Sequence, residues 1–192
     1  MPVFSRGGFF WKPLVDSDID ALIGVLDHPD VSQWLGPVAE GIVRRRDMDL
    51  SGRAITLVAH DEHGPAGWAG ILDYPAYPNA IQSSVYLAPE QWGSGLVVIA
   101  NALAYAMTRA LDHDPMFVSI HRDNTRSQRA HTRLFPTAKA EWVEEPWKPR
   151  RALVLAATTP PLGASPLSSV EMARLEKFVS TTPMGLRMKE TA

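Results

Sequence analysis

The alternating β-formers Val85-Tyr86-Leu87 stop at Pro89 and open into Trp92-Gly93-Ser94-Gly95. A long apolar segment follows, from Leu96 to about His113, without glycine or proline. The alternation specifies a strand, and Pro89 ends it because proline has no N–H to give to a ladder. The glycines permit a tight turn and leave backbone N–H groups uncovered by side chains. The segment after them is apolar nearly all round, which is the pattern of a buried helix. Strand, glycine turn and helix, in that order, aim free N–H groups and the positive end of a helix dipole at one spot. The turn is built for an anion, and a phosphate is the expected ligand.

Two common phosphate motifs are missing from this turn. There is no Gly-Lys-Ser/Thr, which excludes a nucleoside-triphosphate P-loop. There is no Gly-x-Gly-x-x-Gly, and no acidic residue closes a second strand about 20 residues on, so a dinucleotide fingerprint fails too. The stretch resembles the acyl-coenzyme A loop of the GNAT superfamily of N-acyltransferases. It is most similar to the branch that acetylates protein N-termini, where a strand ending in Pro is followed by Trp-Gly-x-Gly-x-Ala/Gly and a long helix. The matching residues are Pro89, Trp92, Gly93 and Gly95; Val97 stands where the family has Ala or Gly.

Composition narrows the setting. A chain of 192 residues is long enough for one well-buried domain with an appendage. With 19 Lys and Arg against 21 Asp and Glu, the net charge of −2 creates no global field for nucleic acid or an anionic membrane. The absence of cysteine excludes disulfides, thiolate catalysis and Cys-ligated zinc, and fits a reducing compartment. No apolar run reaches the roughly 18 residues of a membrane span, and no signal peptide is read at the N-terminus. The expectation is a soluble cytoplasmic protein with one domain over 1–158, then a Pro-rich linker and short C-terminal helix and tail over 159–192.

Along the chain, Phe9 to Leu14 reads as a first strand stopped at Pro13, and Asp16 or Ser17 as the N-cap of a helix carrying Ile19, Leu22, Ile23 and Leu26. Asp27-His28-Pro29-Asp30 breaks that helix, Val31 to Pro37 reads as irregular, and a polar helix follows from Ala39 to Leu50. In the resembling family this region covers the acceptor site, which makes Trp34 a candidate substrate-binding residue beside the plainer reading of a core aromatic. Ile55 to His60 and Ala66 to Leu72 form a hairpin, and Ala80 to Leu87 the next strand. His60 and His63 flank the hairpin tip without a third ligand in register, so no metal site is assigned. Tyr74 and Tyr77, in the link to that next strand, are candidates for a pocket mouth; packing on the sheet edge is the alternative. Met116 to His121, Glu141 to Glu144 and Arg151 to Ala157 are the remaining strands. Ser168 to Glu171 is a capping box opening a helix whose Met172, Leu175 and Val179 must dock on the domain or on a second copy in a homodimer.

A second motif lies at Asn124-Thr125-Arg126-Ser127-Gln128-Arg129. Asn124, Ser127 and His131 share one face of the helix it opens. The segment resembles the family's second cofactor motif, Asn-x-x-Ser/Ala-x-Arg. In many members a Tyr seven residues after the Asn protonates the departing thiolate, and His131 holds that position. The family closes this helix with Leu-Gly-Phe, whereas this chain reads Leu134-Phe135-Pro136. Arg122, Arg126, Arg129 and Arg133 form a solvated basic face from which one or two could reach the cofactor's 3′-phosphate.

The resemblance spans roughly residues 8 to 157. It implies an α/β GNAT fold, with a mixed, mostly antiparallel central sheet and helices on both faces. It also implies transfer of an acetyl or other acyl group from acyl-coenzyme A to the primary amine of a small molecule or peptide. The cofactor, acetyl-coenzyme A or coenzyme A, would use Val85, Leu87, Trp92, Gly93, Ser94, Gly95, Leu96, Val97, Asn124 and Ser127. Leu87 would supply an oxyanion N–H and His131 the acid, with Asp73, Glu90, His121 or relayed water as base. Two alternatives stand beside this: a degenerate, non-catalytic coenzyme A-binding module, and a nucleic-acid amine acyltransferase using the arginine face.

Overall fold

The computed structural model describes residues 3–74, 80–145 and 150–182. Among these residues one sheet of eight strands runs through the molecule. The strands are β1 (Phe4–Arg6), β2 (Phe9–Pro13), β3 (Ala54–His60), β4 (Pro65–Asp73), β5 (Ile81–Leu87), β6 (Met116–His121), β7 (Lys139–Glu145) and β8 (Arg150–Ala157). Their spatial order is β1-β2-β3-β4-β5-β6-β8-β7. All neighbours are antiparallel except β5 and β6. That parallel contact covers only Ile81↔Met116 and Gln82↔Phe117. Beyond it β5 stays paired with β4 as far as Leu87, and β6 with β8 as far as His121, so the sheet opens between them. The Ala88 N–H bonds the Ala66 carbonyl on β4. By the two-residue alternation of an antiparallel ladder, the N–H groups of Val85 and Leu87 face the opening.

Helices cover both faces. On one side lie α4 (Leu96–Ala110) and α6 (Ser169–Thr181), whose Leu96, Leu103, Met107, Leu175 and Val179 pack with Leu57, Ile71 and Ile81 of the sheet. On the other lie α1 (Ile19–Leu26), α2 (Pro29–Leu35) and α3 (Val38–Leu50), with Leu22, Leu26, Val31 and Ile42 against Val58 and Trp68. The last helix, α5 (Thr125–Leu134), follows β6.

Several local readings change. The stretch read as irregular is α2. Pro29 occupies its first turn, where the missing N–H costs nothing, and the His28 Nδ1 accepts the Asp30 N–H. Gly36, at φ 76°, stops it. Asp16 to Asp18 form a 3-10 turn, so the N-cap of α1 is Asp18, whose carboxylate receives the Val15 N–H and the Lys12 ammonium. Strand β1 was not anticipated; three residues are too few to show a period.

Helix α3 is polar, yet its Arg45 is buried. The guanidinium donates to the Thr56 hydroxyl at 2.5 Å and to the carbonyls of Ile55 and Ile71 at 3.0 and 2.9 Å. It lies over Gly70, where a Cβ would collide with it. At the other end of the chain the capping box of Ser168 and Glu171 forms as expected, and Arg6 bonds Glu171 at 3.1 Å. With Leu175 and Val179 buried, α6 docks on its own domain.

Candidate active site

The glycine turn is held by its own polar groups. After a 3-10 turn over Pro89–Gln91, the Ser94 N–H and hydroxyl both donate to the Gln91 carbonyl, at 3.2 and 2.7 Å. The Ser94 Oγ in turn accepts the Leu96 N–H. Gly93 and Gly95 sit at φ 89° and 85°, a region costly for a side chain but not for glycine. A Cβ at either would meet nothing within 4 Å, so the backbone there faces open space. The N–H groups of Gly93, Gly95 and Val97 have no acceptor among the described residues. Two expected cofactor residues also hold the turn together: the Ser94 hydroxyl bonds Gln91 and Leu96, and the Leu96 side chain is in the core with its N–H on Ser94.

Beside this turn the opening between β5 and β6 becomes a cavity of about 470 Å³. Val85, Tyr86 and Leu87 form one wall, and Trp92, Gly93 and Val97 the next. Asn124, Arg126, Ser127 and His131 come from the start and inner face of α5, and Asp30 and Trp34 from α2. The structure thus brings together most of the residues that the two sequence motifs single out. Trp34, the candidate substrate-binding residue, lines the same cavity, its ring 5.6 Å from that of His121.

Other candidates lie elsewhere. Tyr74 is buried, its ring 5.6 Å from Phe117, and it does not line the cavity. It follows Asp73, which pairs with Ile81 at the opposite end of the β4–β5 ladder from Leu87. Asp73 is therefore also remote; it pairs with Arg53 at 3.7 Å, and burial raises its pKa. Neither Glu90 nor His121 lines the cavity; His121 stands behind two residues that do, its ring 5.6 Å from that of Trp34 and its Nδ1 accepting the Asp123 N–H at 3.1 Å. Tyr77 lies outside the described residues. His60 sits 3.5 Å from Asp18, and among the described residues no group of three or more His, Asp or Glu could hold a metal ion.

Within the cavity each polar side chain has a defined posture. Asn124 caps α5, its Oδ1 accepting the Ser127 N–H at 3.0 Å, which turns its amide NH₂ away from the cap. The Trp92 indole N–H donates to the Leu87 carbonyl at 3.3 Å, tying the loop to the end of β5. Arg126 lies over the Trp92 ring at 3.6 Å, a cation–π contact that fixes a positive charge beside the free loop N–H groups. Sequence reasoning left Arg126 as one arginine of four, because nothing in the chain pairs it with a tryptophan 34 positions earlier. His131 is only 8% exposed. Its Nδ1 lies 2.9 Å from the Ser127 carbonyl and 3.2 Å from the Ser127 hydroxyl. A carbonyl only accepts, so Nδ1 carries the proton and Nε2 has the lone pair. Burial lowers the His131 pKa, and the Ser127 bond offsets part of that.

These features fit an acyl-coenzyme A. The free N–H groups at the start of α4 suit a pyrophosphate, Arg126 suits phosphate charge, and the unpaired edge of β5 suits an extended amide-bearing arm.

The profile of the acetyltransferase (GNAT) domain family matches residues 10–134, well over half of the chain. No curated protein matches the sequence. Among solved structures, the spermidine N-acetyltransferase of Vibrio cholerae, in complex with CoA and spermine, is 14% identical with a TM-score of 0.58, covering 81% of this chain and 98% of its own. A ribosomal-protein-S5-alanine acetyltransferase from Vibrio fischeri is 15% identical with a TM-score of 0.62, covering 85% and 98%. AAC(6′)-Ib, solved with Parmomycin and AcetylCoA, is 15% identical with a TM-score of 0.62, covering 79% and 93%. These identities establish a shared fold, and the profile establishes the family. The chain belongs to the GNAT family of acyl-coenzyme A-dependent N-acetyltransferases.

Proposed function

We propose that this protein transfers an acetyl or related acyl group from acyl-coenzyme A to the primary amine of a small molecule or peptide. The observation that carries the reading is the convergence on one cavity of Gly93 and Val97 from the loop, the unpaired edge of β5 and the side chains of α5. The donor supplies an activated thioester carbonyl. Its pyrophosphate sits on the N–H groups of Gly93, Gly95 and Val97, with Arg126 alongside. Its pantetheine arm adds to β5 through the main chain of Val85. The Leu87 N–H faces the same opening and stabilises the oxyanion that develops on the attacked carbonyl, a contribution of about 3–4 kcal/mol for one preorganised donor. Trp34 and Asp30, on the α2 wall, bound the acceptor end.

A peptide N-terminus is the first acceptor to test. Its support is the Pro89…Trp92-Gly93-x-Gly95 loop, similar to the branch that modifies protein N-termini, and the fold shared with an enzyme named for ribosomal-protein-S5 alanine. The test is thiol release from acetyl-coenzyme A with alanine-terminated peptides, spermidine, an aminoglycoside and lysine. Release matched one-for-one by N-acetyl product with at least one amine supports the reading. Coenzyme A binding without release for any amine supports a non-catalytic module instead. Turnover confined to RNA or DNA amines, and falling steeply with salt, points to nucleic acid.

A further inference from the structure

We propose that His131 works as a proton shuttle through Nε2 alone, first taking the proton from the amine and then giving it to the departing sulfur. This rests on the acyl-transfer reading above and reverses the order of events expected for a residue at this position.

The argument starts from the bond at the other nitrogen. Nδ1 is held 2.9 Å from the Ser127 carbonyl, one turn back along α5, and the Ser127 hydroxyl stands 3.2 Å away. If Nδ1 were bare, two lone pairs would face each other across that distance, so the proton is on Nδ1. Nε2 has no hydrogen-bond partner among the described residues, and the residue lines the cavity. A tyrosine hydroxyl starts with a proton and can give one first. His131 starts without one on its free nitrogen and must take one first.

The charged and titratable groups that share the cavity are Arg126 and Asp123 at the start of α5, Asp30 on α2 and Tyr86 on β5. No carboxylate forms an ion pair with His131 among the described residues, and burial opposes the imidazolium at rest. The neutral ring is therefore the starting state. The Ser127 carbonyl keeps its bond from Nδ1–H whether Nε2 is bare or protonated, and it favours the charged ring during the step.

The balance is closed. The amine nitrogen forms a bond to the thioester carbon and becomes an ammonium. Nε2 takes one ammonium proton, the carbon–sulfur bond breaks with its electron pair going to sulfur, and Nε2 passes the proton to that thiolate. The products are an amide and a free thiol. The amine enters as its free base, its ammonium proton having gone to bulk water before attack. From there the ring ends in the tautomer in which it began, and the transfer step needs no second base and no tautomer exchange.

Two readouts test this. The first uses the free wild-type protein: nitrogen-15 NMR of the imidazole should show Nδ1 protonated and Nε2 bare, with a titration midpoint below that of an ordinary histidine. An Nε2–H tautomer overturns the proposal. The second is the pH dependence of kcat for acetyl transfer to an alanine-terminated peptide, or to spermidine if that is the amine turned over. It is measured for wild type, His131→Gln and His131→Asn. Ionisation of the amine is common to all three enzymes, so the ratio of wild type to variant isolates the ring. That ratio should be about ten to a thousand at pH above the ring's midpoint in the enzyme–substrate complex, the state that kcat reports. Below the midpoint it should fall about tenfold per pH unit as Nε2 is occupied. A ratio that rises on acidification makes His131 an acid, and a flat ratio near one makes it a packing residue; either overturns the shuttle. Absence of turnover with every amine overturns the acyl-transfer reading itself, and the shuttle with it.

Discussion

Val97 shows how far single residues could be read from the sequence. It stands where similar loops have a smaller side chain, and the structure places it on the cavity wall, half-buried at the first turn of α4. Val97→Ala should tighten acetyl-coenzyme A binding about two- to tenfold in calorimetry, relieving part of an overpacking cost of about 1–3 kcal/mol. Unchanged or weaker binding would mean the loop backbone has already moved aside. The motif was legible, but not which atoms of it are free. Gly93, Gly95 and Val97 keep open N–H groups, while Ser94 between them is consumed by Gln91 and Leu96. That division follows from where each group points in the turn, and side-chain identity does not encode it. His131 gave the same difficulty: its position was visible, but its tautomer depends on a carbonyl one helical turn away.

At the scale of elements, long periodic segments were readable, and short ones or polar attachments were not. Helix α4 and the strands Ile81–Leu87 and Met116–His121 carry strong alternation or a continuous apolar run. Helix α2 was hidden because Pro29 serves equally to break one helix and to begin another. Helix α3 was legible as a polar helix, but not that its attachment to the sheet is itself polar: Arg45 reaches Thr56, Ile55 and Ile71, and Asp49 accepts from Thr56 at 2.9 Å. Burial lowers the Arg45 pKa and raises that of Asp49, while their mutual attraction opposes both shifts. Removing one member of such a buried set leaves its partners unpaired. Arg45→Ala should therefore cost about 3–5 kcal/mol in urea unfolding at unchanged m-value. A loss under about 1 kcal/mol would mean that water reaches the guanidinium.

Over the whole molecule, the fold class and the two covered faces could be foreseen, because they follow from the element order and the resemblance it carries. The parting of β5 from β6 could not be read from residue patterns, since both strands remain regular on their other edges. Charge adds a global consequence. Burial lowers the pKa of both His60 and His131. In the unfolded chain these rings take up protons near the ordinary value of about 6.5, whereas the folded chain resists until lower pH. The unfolded state then binds more protons, so stability should fall as pH drops below about 6.5. The urea midpoint should be lower at pH 5.5 than at pH 7.5, and His131→Gln should reduce that difference. Asp49 and Asp73, whose pKa values burial raises, act in the opposite sense as pH falls, so the His131→Gln comparison decides. An unchanged pH difference in that variant contradicts the burial of this ring in neutral form.

The account depends most on coenzyme A seated between the glycine turn and the unpaired edge of β5. Calorimetric titration of coenzyme A into the wild-type protein and into Gly95→Asp tests this directly. Gly95 lies at φ 85° with open space around a Cβ, so the substitution places a carboxylate in the pyrophosphate's path. Its backbone strain costs about 1–2 kcal/mol, and Asp tolerates that conformation better than most residues. Wild type should bind one coenzyme A per chain. Gly95→Asp should bind about a hundredfold more weakly or not at all, since like-charge contact costs several kcal/mol, while its circular dichroism stays that of the wild type. Equal affinity in the two proteins, or no binding by the wild type, would contradict the account.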